Sequence, residues 1–171
     1  MITIDDLEKT GLTELIGLEI GNSPIAIAIK KVCEHAYNIP IEEITTHALL
    51  FIKQNEVWYV IENHAKWNGV KKYTVEEYIE NNNPLIRVIL IQAPIDLTRV
   101  NYYLKFNPGY SCLDILELAF LGKTLDKGMD CSALVSACLN NLLICTSLNR
   151  TMGEIRPVDI QEYFTTKLME V

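Results

Sequence analysis

A chain of 171 residues that is 49% hydrophobic and 22% charged is long enough to bury a core and has the usual size of one domain, so a single unit over residues 1–171 is expected. Its formal net charge of -7 argues against a nucleic-acid partner, whose phosphates are met by clustered Lys and Arg. The acidic residues of MITIDDLEK stand where an export signal needs a basic start, and no apolar run approaches the roughly 20 residues that cross a bilayer; a soluble cytoplasmic protein with no integral membrane segment is expected.

In chain order, Ser23-Pro24 pairs a cap residue with proline at the first helical position, and Ile25, Ala28, Ile29, Val32 and Cys33 then recur at helical spacing. This predicts a helix over 24–37 with Lys30, Lys31 and Glu34 on its polar face. From Thr46 the pattern turns extended: HALLFIK and VWYVIE flank Gln54-Asn55-Glu56 and read as a β-hairpin. With Gln54-Asn55 as a two-residue turn, His47 lies directly across from Glu62, Leu49 from Val60 and Phe51 from Trp58. A one-residue slip would bring Asn63 across instead. Residues 69–73 form a third strand, Thr74 opens a helical turn, and the β-branched run 85–93, closed by Pro94, is a buried strand.

Two helical segments follow, LTRVNYYLKFN and SCLDILELAFLG, ending at Pro108-Gly109 and Gly122. Asp130 then caps a helix whose apolar residues at 131, 134, 135, 138, 139, 142 and 143 make one buried face. Arg156-Pro157 opens the last helix, 158–167. Helices around a mid-chain antiparallel sheet give an α+β class.

The five cysteines, Cys33, Cys112, Cys131, Cys138 and Cys145, form an odd set with no C-x-x-C pair, which fits neither a disulfide framework nor a zinc knuckle. Four are expected as small buried apolar residues. Cys131 differs because it opens a helix, where free N–H groups and the macrodipole favour the thiolate that attacks carbonyl carbon. The same amides suit an oxyanion. Asp130 opposes ionisation if its carboxylate points at the sulfur, so a cationic imidazole partner is needed.

Of the three histidines, His35 belongs to the polar positions of its helix and is expected to be solvated. His47, beside Glu62 on the hairpin, has the geometry of a base with its orienter; His64 competes for either role. Taken singly, Cys131 reads as a core cysteine, His47 as structural and Glu62 as a solvated strand end. Only their joint arrangement points to chemistry. A metal built on Cys131 and histidines matches none of the usual zinc spacings, and no metal or cofactor is expected.

The string Asp130-Cys131-Ser132-Ala133-Leu134-Val135 resembles the D-C-S-G-L-V nucleophile motif of the NlpC/P60 cysteine peptidases, with alanine in the glycine position. Because His47 and Glu62 precede Cys131, the order resembles the circularly permuted branch of that superfamily, which includes YiiX-like bacterial proteins and lecithin:retinol acyltransferase-like enzymes. Thr46-His47-Ala48-Leu49-Leu50 is similar to the family's histidine strand, Val60-Ile61-Glu62 with Gly69-Val70 to the segment after it, and Pro157-Val158-Asp159-Ile160 to its closing turn and helix, so that the similarity spans roughly residues 18–164. The departure is Asn63-His64 after Glu62, which leaves the third catalytic position open between Glu62 and His64. The resemblance implies a permuted papain-like α+β fold and a cysteine hydrolase of the peptidase or amidase type. Cys131 would be its nucleophile, His47 its base and Glu62 its orienter, and its substrate a peptide, amide or lipid ester. Lipid or amide acyl transfer with the same triad, and an inactive papain-like binding module, are the alternatives. Tyr110, upstream of the nucleophile helix, is read either as a substrate contact or as a helix-flanking core aromatic.

Overall fold

Thr3 opens the first element. Its hydroxyl accepts from the Asp6 amide while the Asp6 carboxylate accepts from the Thr3 amide, a capping box that starts helix α1 (Ile4–Lys9). The structure, a computed structural model, describes residues 2–37, 39–82, 86–110, 129–139 and 154–169. Neither α1 nor the strand β1 (Glu14–Ile20) that follows is anticipated by the pattern reading, yet β1 is buried from Leu15 to Ile20 and lies inside the sheet. The other strands are β2 (His47–Gln54), β3 (Val57–His64), β4 (Gly69–Thr74) and β5 (Arg87–Ile91). They form one antiparallel sheet in the order β4-β3-β2-β1-β5, within the expected α+β class.

Both faces of the sheet are covered, which is why β1 and β2 read as nearly continuous apolar runs. On one face Leu15, Leu49, Phe51, Val60 and Tyr73 pack with Leu7 of α1 and with Val75 and Tyr78 of α3 (Val75–Asn81). On the other, Ile16, Leu18, Ala48, Leu50 and Ile61 pack with Val100 of α4 (Leu97–Phe106) and with Leu134 and Val135 of α5 (Cys131–Cys138). Each such side chain contributes about 1.5–3 kcal/mol on burial, so two-sided packing holds rigid the strands that bear the polar residues below.

The hairpin departs from its expected register. It turns on Asn55 and Glu56, both at positive φ (51° and 62°), with Gln54 paired to Val57 and Phe51 to Val60. The expected partnerships of Phe51 with Trp58, Leu49 with Val60 and His47 with Glu62 are therefore displaced by two residues. Because side chains alternate with a period of two, a two-residue displacement preserves the faces. His47 and Glu62 remain on one face as diagonal neighbours, and His64 takes the place level with His47.

Helix α2 (Pro24–Tyr37) has its expected span, but its buried stripe runs through Ala26, Lys30 and Cys33. Lys30 is thus buried rather than on the polar face, its ammonium donating to Asn22 Oδ1 at 3.4 Å, while Ala28 is exposed. At the far end of the chain α6 (Pro157–Met169) begins where Asp159 accepts from the Arg156 amide at 2.7 Å, and Val158 packs with Cys33 and Ile44. Strand β5 is shorter than the 85–93 run. The SCLDILELAFLG segment and positions 142 and 143 lie outside the described residues. Among the described residues no helix is long and apolar enough to cross a membrane.

Candidate active site

Cys131 stands at the first position of α5 because Asp130 caps that helix. The Asp130 Oδ1 accepts from the Ala133 amide at 2.7 Å and from Ser132 Oγ at 3.0 Å, so this oxygen is committed to the cap. Ser132 Oγ also lies 2.7 Å from the Ile155 carbonyl, linking the helix start to the approach to α6. The amides of Cys131 and Ser132 are of the kind that a helix start leaves without intrahelical acceptors.

Asn63 fixes the segment leading into that helix. Fully buried on β3, it donates through Nδ2 to the Met129 carbonyl at 2.7 Å and to the Gly109 carbonyl at 3.3 Å. Its Oδ1 has no partner among the described residues, so the amide's role there is as a donor. Replacing Asn63 with alanine leaves two carbonyls without this donor, at a cost of about 1–3 kcal/mol. A thermal melt of Asn63→Ala should fall by roughly 2–12 °C; an unchanged melt would show that Asn63 is not what holds Met129 in place.

His47, the first residue of β2, has its Nε2 2.6 Å from Glu62 Oε2, and the two side chains are 13% and 7% exposed. The Cys131 sulfur acts on the same ring and favours its protonated form. With Nε2 taken by Glu62, Nδ1 is the nitrogen left for sulfur. Burial disfavours the imidazolium, but the Cys131 sulfur and the Glu62 and Glu19 carboxylates outweigh it, and His47 holds its proton well above the usual histidine range. Glu62 is pushed up by burial and brought down further by the hydrogen bond and charge of His47 and by the Tyr73 hydroxyl, to about 2. Tyr73 Oη donates to Glu62 Oε1, so both carboxylate oxygens are engaged.

Two residues that the sequence reading did not single out complete this cluster. Glu19 lies directly across from His47 on β1, and its Oε1 accepts from Tyr78 Oη of α3. Burial, with the Glu62 charge adding to it, raises the Glu19 carboxyl above its ordinary value. The signal for Tyr73 is its place on β4, paired with Val60 and two residues from Lys71, which faces Glu62.

The remaining candidates have other settings. His64 has its ring centroid 5.3 Å from that of His47 and 6.2 Å from that of Tyr110, but its Nδ1 accepts the Lys66 amide at 2.9 Å and so caps the short helical turn Ala65–Trp67. Burial and the charge of His47 lower its proton affinity. Tyr110 bridges to Met129, ahead of the Cys131 helix. The His35 side chain lies outside the described residues. Cys33 and Cys138 are buried, and burial, with Asp96 adding, pushes Cys138 up to about 12. Cys112 and Cys145 lie outside the described residues. No group of three or more His, Cys, Asp or Glu side chains among the described residues is arranged to hold a metal ion.

The sequence matches no protein-family model and no curated protein.

Proposed function

We propose that the chain is a cysteine hydrolase of the peptidase or amidase type, built on a circularly permuted papain-like fold, with Cys131 as nucleophile, His47 as its proton partner and Glu62 as orienter. The observation that carries this reading is the shared imidazole: one nitrogen bonded to a buried carboxylate, the other left for a thiol at a helix start. The D-C-S-A-L-V string and the order histidine, glutamate, cysteine add the NlpC/P60 resemblance to it.

In this mechanism the Cys131 proton rests on His47, giving a thiolate–imidazolium pair. The thiolate attacks the carbonyl carbon of a peptide, amide or lipid ester, and the amides at the start of α5 receive the oxyanion. Collapse breaks the bond to the leaving amine or alcohol, which departs with the proton of His47, and an acyl-thioester remains on Cys131. Water then attacks the thioester while His47 Nδ1 takes its proton, and the acid is released as sulfur leaves. A second nucleophile in place of water makes the same intermediate an acyltransferase. Throughout, Glu62 keeps Nε2 protonated and the ring aimed.

The 4% exposure of Cys131 favours one other reading, a catalytically inactive papain-like module that binds a partner. Alkylation with iodoacetamide near neutral pH separates the two. A reactive pair gives one fast site, at least about tenfold ahead of the other thiols, mapped to Cys131 by peptide mass and lost in Cys131→Ala. Uniformly slow labelling of all five cysteines would overturn the enzymatic reading and leave the binding module.

A further inference from the structure

Beside His47 lies a second buried carboxyl that the proposed triad does not use. Glu19 is 8% exposed and sits directly opposite His47 in the β1–β2 pairing. Its position is fixed on every side. The Thr46 amide donates to the Glu19 carbonyl at 2.8 Å, and Thr46 Oγ1 accepts from the Gly21 amide at 3.0 Å. Two residues earlier on the same face, a Cβ on Gly17 would stand 2.6 Å from Leu49 Cδ1 and Phe51 Cε2, so β1 admits no side chain there. The carboxyl itself is held by Tyr78 Oη.

The charged and titratable groups around Glu19 come from several elements. They are His47 of β2, Glu62 of β3 and Tyr78 of α3, with Tyr73 of β4 and Glu77 of α3 acting on the same cluster, and Cys131 of α5 acting on the same imidazole. From β5 the residue facing Glu19 is the apolar Val88. With Cys131, Glu62 and Glu19 all ionised, three negative charges would share one imidazolium in a poorly solvated space. Like charges resist joint ionisation. Glu62 is hydrogen-bonded by both His47 and Tyr73, and of the two carboxyls Glu19 is the one whose proton affinity burial raises.

We propose that Glu19 is a positioning residue for the Cys131–His47 pair: fixed between the Tyr78 hydroxyl and the strand that bears His47, it presents, once ionised, a second buried carboxylate to the imidazole directly across from it. The assignment deepens the cysteine-hydrolase reading and rests on it for its functional meaning. Glu19 acts through the ring of His47 and touches no reacting atom.

The test is the titration of His47 in the full chain, followed by NMR of protein carrying ¹⁵N-labelled histidine, whose three ring signals are assigned with single His→Gln variants. Glu19→Gln keeps the shape and an acceptor for Tyr78 but carries no charge. Its His47 midpoint should fall by about one pH unit, a tenfold loss of proton affinity. Tyr78→Phe, which removes the donor that favours the Glu19 carboxylate, should move the midpoint the same way by less. Glu76→Gln, which removes an exposed carboxylate of α3, should not move it. A His47 midpoint in Glu19→Gln equal to that of the unmodified chain overturns the proposal. Should Glu19→Gln not fold, Tyr78→Phe decides on the same terms. Slow alkylation of Cys131 would sink the hydrolase reading without touching this titration, so the two failures are told apart.

Discussion

Replacing His47 with glutamine lowers the rate at which iodoacetamide alkylates Cys131 at pH 7 by about 100-fold, the low end of what a positioned proton acceptor contributes. Glutamine is short of the imidazole but still able to donate to Glu62, so the buried carboxylate keeps a partner and the fold is spared an isolated charge. What disappears is the cation that the proposed mechanism sets against the sulfur. The helix start remains, with its amides and the Asp130 cap, but its partial charge is worth about 0.3–1 kcal/mol in ordinary settings, far less than a neighbouring imidazolium in a site closed to water. The rate should recover only as pH enters the alkaline range in which unassisted thiols ionise. His64→Gln is the informative comparison, because the His64 Nδ1 is already occupied by the Lys66 amide; its effect should stay within a few-fold. Equal rates for His47→Gln and the unmodified chain would remove His47 from the mechanism, and a larger loss in His64→Gln would transfer its role there.

The residues that could be found from the sequence are those whose local pattern agrees with their tertiary setting. Asp130 followed by an apolar helical series gives the α5 start, and HALLFIK with VWYVIE gives the hairpin. Its register could not be read as easily. A two-residue hairpin turn of this kind requires positive φ at both central positions, and Glu56, at 62°, is an uncommon occupant; Gln54-Asn55 looked no worse. The error left the faces intact because it was even, and for that reason His47 and Glu62 still meet. Glu19 was hidden differently. It sits in ELIGLEI, a run buried from Leu15 to Ile20, and an acid inside such a run gives no periodic signal. Its meaning depends on Glu19 pairing with His47 on the next strand and on Tyr78 arriving from α3, contacts that no local window contains. Asn63 shows in the sequence only as the residue a register slip brings across; its partners, Met129 and Gly109, are remote in the chain.

Glu62→Ala has the largest expected effect on stability, about 3–5 kcal/mol near neutral pH, the cost of breaking a buried ion pair by removing one partner. Truncation strands the imidazolium of His47, and it leaves the Tyr73 hydroxyl with no acceptor at Glu62 in a buried position. The pH dependence of the loss identifies its origin. Glu62 has its proton affinity lowered in the folded protein, to about 2, so the stability it supplies is fully present above the ordinary carboxylate range and is lost as pH falls from there toward about 2. His47 is shifted the other way. Its contribution is fully present below the ordinary imidazole value and is lost as pH rises through its raised folded value. Chemical denaturation of the unmodified chain and of Glu62→Ala should therefore differ most between roughly pH 5 and 7 and converge as the acid side is approached. Glu19 slopes in the opposite sense on that side, since its raised carboxyl is best accommodated protonated, and it is common to both proteins, so it cancels from the difference to the extent that its coupling to Glu62 is small. A stability gap that stays constant from pH 3 to pH 7 would mean that Glu62 serves as a packing residue and that its charge does not hold the imidazole in place.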